Sequence, residues 1–458
     1  MGAMTLADRL AVFAADLRFE DVPPAVVDSV KLRILDVLGI ALAASTHEVG
    51  PPLRAGLESW AGRGDCTVIG AKFTAAVPLA ILTNGTLAHG LDFDDTHAAS
   101  VTHASAVVLP TVLALGEAAG LDGRAVVTAA VAGYEAIARI GMAAPGAFHA
   151  RGWHASSVCG TLAAAIAAGV CERLDRERLV AALGIAGSFA SGVMEFLEDG
   201  SWVKRLHPGW AGQAGATAAA LARARFSGPA TILEGRYGLY RTFIDTTPDP
   251  RPFETLGQTW ETLAIGFKPY PCCHYLHAFL DCALALREAH RLAPEAIDSI
   301  ECLVPPAGMP IVCEPRPAKL RPRTPYDAQF SLPFSVAAAF IDGRVGLDTY
   351  AAERLDDARI LTLAERVTCR PHRDPALPPG FPGGVRVRLR DGRRVEAHEA
   401  DGRGGPARPL PEGAIVEKFR DNAARAISGA RTAALERAAL GLDALGEIRS
   451  LMQLCRAV

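Results

Sequence analysis

Between His89 and Pro110 the chain reads HGLDFDDTHAASVTHASAVVLP: three aspartates, two threonines and three histidines between two apolar runs. The flanking runs, AAVPLAILTNGTLA and AVVLPTVLALGEAAG, have the composition of buried or half-buried helices. Ionisable groups gathered where apolar helices meet make either a solvated loop or a site. Other segments collect groups of the same kind. RGWHASSVCG carries His154, WVKRLHPGWAGQAG carries Lys204, Arg205 and His207, and GFKPYPCCHYLHAF carries Lys268, Tyr270, His274 and His277. The recurring pattern is a short polar loop, marked by glycine or proline, that runs into a helix of small residues. If such loops converge, helix N-termini and cations surround one pocket suited to anionic carboxylates. Histidines there move protons near neutral pH.

Each segment also has a plain structural reading. Asp92, Asp94 and Asp95 can cap helices on a solvated face. Lys204-Arg205 can be a surface pair, Lys268 before Pro269 can end a helix, and Cys272-Cys273 read as packing residues rather than nucleophiles. Recurrence at loop-to-helix junctions, not any single residue, favours a site.

Several other chemistries lack their residues. There is no G-x-x-x-x-G-K-[ST] loop, no G-x-G-x-x-G after a strand, no G-x-S-x-G and no H-E-x-x-H, so nucleotide-binding, serine-hydrolase and zincin readings are weak. DFDDTH is loosely similar to the aspartate-rich motif of magnesium-dependent terpene cyclases. The second metal motif of that class is not evident, so no metal is expected. Half of the 458 residues are hydrophobic, 21% are charged and the net charge is −3, which describes a globular chain with no nucleic-acid or membrane footprint. The ten cysteines show no disulfide-framework spacing, which suits a reducing compartment. The N-terminus has no charged stretch followed by an apolar core, so a cytoplasmic location is expected.

Positioning such loops falls to helices. LADRLAVFAADL is amphipathic, and PPAVVDSVKLRILDVLGIALAAS starts with prolines as helices do. A Gly-Leu-Asp-Gly turn splits PTVLALGEAAGLDGRAVVTAAVAGYEAIARIG into two helices, and alanine-rich stretches around 159–174 and 210–226 read as helices packed closely among neighbours. After about Phe267 the texture changes. AIDSIECLVP alternates roughly as a strand, and GGVRVRLRDGRRVEAHEADG predicts a hairpin turning at Asp391-Gly392 with a basic solvated face. The expected organisation is mainly α with an α+β second domain. Residues 1–266 form a helical domain, 267–404 an α+β domain, and 405–458 are helices that return to the first.

Taken together, HGLDFDDTH…THASAVVLP, RGWHASSVCGTLAAA, KRLHPGWAGQAG, FKPYPCCHYLHAFLDCAL, PYDAQFSLPFSVAAA and VEKFRDNA resemble the MmgE/PrpD family, in the same order and over nearly the whole chain. That family includes 2-methylcitrate dehydratase, cis-aconitate decarboxylase and iminodisuccinate epimerase. The resemblance implies a large all-helical domain formed by both chain ends, a smaller α+β lid domain and a homodimer. It implies no organic cofactor and no obligatory metal. The family's catalytic positions fall on Asp92, His103, His154, Lys204 and Lys268, with Thr96, His277 and Arg205 expected to bind substrate. The implied chemistry is proton movement beside a carboxylate of a small di- or tricarboxylic acid. Its outcome is loss of water, loss of CO2 or inversion. A carbanion there needs fixed cations such as Lys204 and Lys268, and a histidine that acts as base and acid in turn. Asp92 is expected to orient a histidine or bias its pKa upward.

Three departures bear on the substrate. HASA stands where 2-methylcitrate dehydratases carry an aspartate after HPS, Phe334 stands where the decarboxylase has a tyrosine, and AQFS, with Gln329, replaces AKFS. The first expectation is therefore a cofactor-independent, dehydratase-like lyase. The alternatives are an epimerase or isomerase, a decarboxylase, and a non-catalytic carboxylate-binding paralogue.

Overall fold

The computed structural model describes residues 4–372 and 381–457. Among the described residues helices dominate, and the strands form two short pairs and one four-stranded sheet. By internal packing the described residues divide into two compact units. The first holds the chain up to Met194, Val203–Gly266 and the residues from Pro411 on; the second holds Glu195–Trp202 and Phe267–Leu410.

In the first unit, local sequence sets most helix starts. Thr5 and Asp8 form a capping box for Leu6–Asp16, Pro24 opens Pro24–Thr46, and Asp122 and Asp175 cap Gly123–Met142 and Arg176–Phe189. Val77–Ala88, Ser105–Ala119 and Ala155–Cys171 are buried on nearly every face. Gly123–Met142 is long and apolar enough to cross a membrane, yet 89% of its apolar window is buried inside the fold.

Small residues let these helices approach closely. Val203–Arg223 packs against both Val77–Ala88 and Ala155–Cys171. A Cβ on Gly85 would lie 2.6 Å from the Cα of Gly209, and one on Gly209 would run into the Leu82 carbonyl oxygen. Glu412–Ala423 and Gly429–Leu440, late in the chain, pack on Pro24–Thr46. From the former, Lys418 reaches Asp36 at 2.9 Å and donates to the Phe93 carbonyl at 2.9 Å.

The sheet of the second unit has the strand order Val367–Pro371, Ile297–Val304, Gly383–Leu389, Arg394–Glu399. The hairpin turns at Asp391-Gly392 as the sequence predicts, with Gly392 at φ 89°. His277–His290 and Leu332–Asp342 pack on the sheet, and Ile300, Cys302, Val385 and Val387 join its core.

Two placements differ from the sequence reading. Lys204, Arg205 and His207 do not precede a helix but lie within Val203–Arg223, which continues through Pro208. Proline cannot donate to the carbonyl four residues back, here that of Lys204, so the pattern there resembles a loop. Residues 195–202, read as part of the helical segment, pack with the second unit.

The Gly85–Gly209 contact generates a test. Gly209→Ala is expected to lower the unfolding free energy by about 1–3 kcal/mol through overpacking. Gly413→Ala, a helical position where a Cβ meets nothing within 4 Å, should be neutral or stabilising by up to about 1 kcal/mol. Urea unfolding followed by circular dichroism checks both; equal midpoints for the two variants would contradict the close-packing account.

Candidate functional site

The chain leaves Val77–Ala88 at His89 and enters Ser105–Ala119 at Ser105. Between them Asp92 takes φ 50°, a left-handed conformation that aspartate tolerates better than most residues. Thr96–His97 then pairs with Ile265–Gly266, and His97 and Thr102 exchange backbone hydrogen bonds across a tight turn. Val101 in that turn has φ 54°, a strained conformation for a β-branched side chain.

The three aspartates are buried and have three separate partners. Lys204 Nζ lies 2.5 Å from Asp92 Oδ2. His89 Nδ1 lies 2.8 Å from both carboxylate oxygens of Asp94. Asp95 meets Arg33 Nη1 at 2.7 Å and accepts from the Ser105 backbone N–H at 3.1 Å, which satisfies one N–H at that helix start. They are neither one acidic cluster nor a solvated face. Asp92 holds Lys204, and Asp94, besides pairing with His89, lies 3.8 Å from His103 Nδ1.

Imidazoles gather beside these pairs. The His89 and His103 rings are 4.8 Å apart, His89 and His154 5.9 Å, and His103 and His154 6.1 Å. His103 Nδ1 donates to the Asp95 carbonyl at 2.9 Å and is 3.3 Å from Thr96 Oγ1, while its backbone N–H donates to Ser156 Oγ. With Nδ1 so engaged, any proton transfer at this ring would run through Nε2. His154 occupies the N-cap of Ala155–Cys171, and its Nδ1 faces His207 Nδ1 at 3.1 Å. One of these nitrogens carries the proton and the other accepts it, so the two rings share one hydrogen bond in opposite tautomers.

Burial pushes the His154 pKa well below its ordinary value, helped by the positive charges of His207 and Lys204. Burial also holds His207 down to about 4, as it does His149, whose ring is 6.1 Å from His154. At His154 desolvation and the neighbouring charges act in the same downward direction.

Of the residues singled out in sequence, Asp92, Thr96, His103, His154 and Lys204 come together in the first unit. The helices that begin at Ser105, Ala155 and Val203 bring their N-termini with them. Arg205, also buried, pairs with Glu48 at 3.0 Å. Lys268 and His277 belong to the second unit, where both are buried. There His277 stacks on His274 at 4.7 Å, and its Nε2 donates to the Cys272 carbonyl. In the same unit Gln329 donates to the Pro271 carbonyl and Phe334 is fully buried in the apolar core.

His89, Asp94 and His207 are the residues that sequence reasoning did not select as functional. His89 ends an apolar helix and stands five residues before Asp94, a spacing visible in the sequence. His207 stands in a basic stretch whose proline gives it the pattern of a loop. Among the described residues, His89, His103 and His154 are the one group whose ring nitrogens, all within 4.8 Å, suit a metal ion.

Comparison with known proteins covers both parts of the chain. The model of the MmgE/PrpD N-terminal domain matches residues 8–251, and that of the MmgE/PrpD C-terminal domain matches residues 270–443. The chain is 28% identical to the cis-aconitate decarboxylase-like protein oryM of Aspergillus oryzae, over 97% of this chain and 96% of that one. It is 27% identical to a cis-aconitate decarboxylase of Aspergillus terreus, over 96% and 94%, and 27% identical to that of Homo sapiens, over 88% and 84%.

The depressed imidazoles give a pH prediction. An unfolded histidine titrates near 6.5, whereas folded His207 titrates at about 4. Its contribution to stability is complete above pH 6.5. It is lost as the pH falls from 6.5 toward 4, because the unfolded chain takes up a proton that the folded one refuses. His207→Gln should therefore flatten the acid side of the stability curve by up to about 1.4 kcal/mol per pH unit. Urea titrations at pH 7, 6 and 5 read the difference; parallel curves for wild type and variant would refute it.

Proposed function

The chain belongs to the MmgE/PrpD family, and from that premise we propose that it is a cofactor-independent lyase. It acts by proton transfer at the carbon beside a carboxylate of a small di- or tricarboxylic acid. The observation that carries this reading is the cluster itself. Imidazoles, of which burial holds His154 and His207 below their ordinary pKa, stand beside a buried lysine at three helix N-termini. Helix N-termini and a cation attract carboxylates and stabilise charge that develops on them. A histidine held neutral accepts a proton at pH 7 and returns it later in the cycle.

Two outcomes share this machinery. In elimination, an imidazole takes the proton beside the carboxylate, the electron pair closes a double bond, and the neighbouring hydroxyl leaves as water after protonation. In decarboxylation, the pair comes from the bond to the departing CO2, and an imidazolium supplies the proton that replaces it. The relatives named as cis-aconitate decarboxylases favour the second branch. The phenyl ring of Phe334, which has no hydroxyl, is the residue that weighs against carrying over that particular acid. His103, the most exposed of the three clustered imidazoles, is the first candidate for base and acid. Lys204 holds charge, Asp92 positions Lys204, and Thr96 steadies His103. Lys268 and His277 remain candidates for substrate carboxylates by family resemblance, and Arg205 is a weaker one because Glu48 engages it. We further propose a homodimer in the cytoplasm.

Incubation with a panel of di- and tricarboxylic acids in D2O, followed by NMR, is expected to show proton exchange, elimination or CO2 loss for at least one acid. With that acid, His103→Gln should lower kcat by about 10²–10⁴-fold while ligand affinity changes little. A purely binding paralogue would show affinity without any exchange, and that result would overturn the lyase reading. Light scattering at low micromolar concentration should give twice the 48.1 kDa chain mass; a monomer mass would exclude the dimer.

A further inference from the structure

We propose that His89, His103 and His154 form a binding site for a divalent late-transition-metal ion, best matched by Zn2+, and that the bound ion blocks the site. One ring nitrogen from each lies within 4.8 Å of the others. Some point is then at most about 2.8 Å from all three, so each nitrogen needs to move only about 0.7 Å to reach a zinc–nitrogen distance of about 2.0–2.1 Å. The imidazole χ2 torsion is broad and roughly two-fold, so tilts of that size are cheap.

The surroundings resemble those of a histidine metal site. Metal-bound histidines usually direct their second ring nitrogen to a carboxylate, a carbonyl or another acceptor, which fixes tautomer and orientation. His89 does so with Asp94, His103 with the Asp95 carbonyl, and His154 with His207. The side chain of His89 is fully buried, and its Nε2 has no hydrogen-bond partner among the described residues. An all-nitrogen set selects zinc and its neighbours over magnesium or calcium, which want oxygens. The three carboxylates of the loop are spoken for by Lys204, His89 and Arg33. Ligation would tie up the rings that the lyase reading uses for proton transfer, so the blocking half of the proposal rests on that reading. The binding half does not.

Chelator-treated protein should take up one Zn2+ per chain with a Kd of about 10 µM or tighter in titration calorimetry. X-ray absorption of the loaded protein should show three nitrogen ligands at about 2.0–2.1 Å and no sulfur. His89→Gln and His154→Gln should each weaken uptake by more than about 10-fold, and Asp94→Asn by about 10–100-fold. His398→Gln, which alters an exposed histidine of the second unit, should leave it unchanged. The X-ray measurement on wild type stands even if a buried variant fails to fold. No uptake at about 100 µM free zinc, sulfur ligation, or unchanged affinity in folded His89 and His154 variants would overturn the site. Once an acid that turns over is in hand, zinc should inhibit and chelation restore the rate. Zinc bound by these histidines without inhibition would overturn the blocking role alone. If no acid reacts at all, the lyase reading fails while the binding result still stands.

Discussion

One buried guanidinium holds the candidate site in shape. Arg33, near the middle of Pro24–Thr46, meets Asp95 at 2.7 Å and donates to the Thr262 and Ile265 carbonyls. Asp95 in turn holds the backbone and hydroxyl of Ser105, and the Ser105 hydroxyl meets Tyr134. One cation thus fixes a helix start, a loop and the strand residues that pair with Thr96–His97. A charge in this setting is tolerable only while all its partners are present. A second buried pair, Glu135 with Arg139, receives the Thr262 N–H and hydroxyl and steadies the same stretch.

With the loop anchored through Asp95, its neighbours are available for other tasks. Asp92 and Asp94 lie two residues apart yet serve a lysine 112 residues away and a histidine five residues back. The turn at Asp92 and the buried setting make this division possible. From the far end of the chain, Lys418 holds the Phe93 carbonyl between them, and its ammonium lies 3.9 Å from the Phe93 ring. Burial lifts its other partner, Asp36, to about 6 although Lys418 pulls it down, so this contact weakens in mild acid.

The helices were legible because their signals are local. Prolines at helix starts, caps such as Asp122 and Asp175, and long apolar runs each need only a few neighbouring residues. The hairpin was legible for the same reason, through alternation and an Asp-Gly turn. The edge strand Val367–Pro371 was not, because only its first residue is buried and a proline ends it. At the site, residue types and the segments that carry them were readable. Partner choice was not, since which aspartate meets which cation depends on tertiary distance. His89 and His207 illustrate the limit. Each is a single polar residue in an apolar or mixed stretch, and only the fold shows that His103 and His154 surround or face them.

Val101 adds a consequence of another kind. Its left-handed backbone is the tight corner between Thr96–His97 and His103, and for a β-branched residue that conformation stores about 1–3 kcal/mol. The corner is therefore a place where durability and aim compete. A residue that relaxed it would make the whole protein harder to unfold, while loosening the segment that points His103. Selection for heat resistance and selection for turnover would then pull this one position in opposite directions.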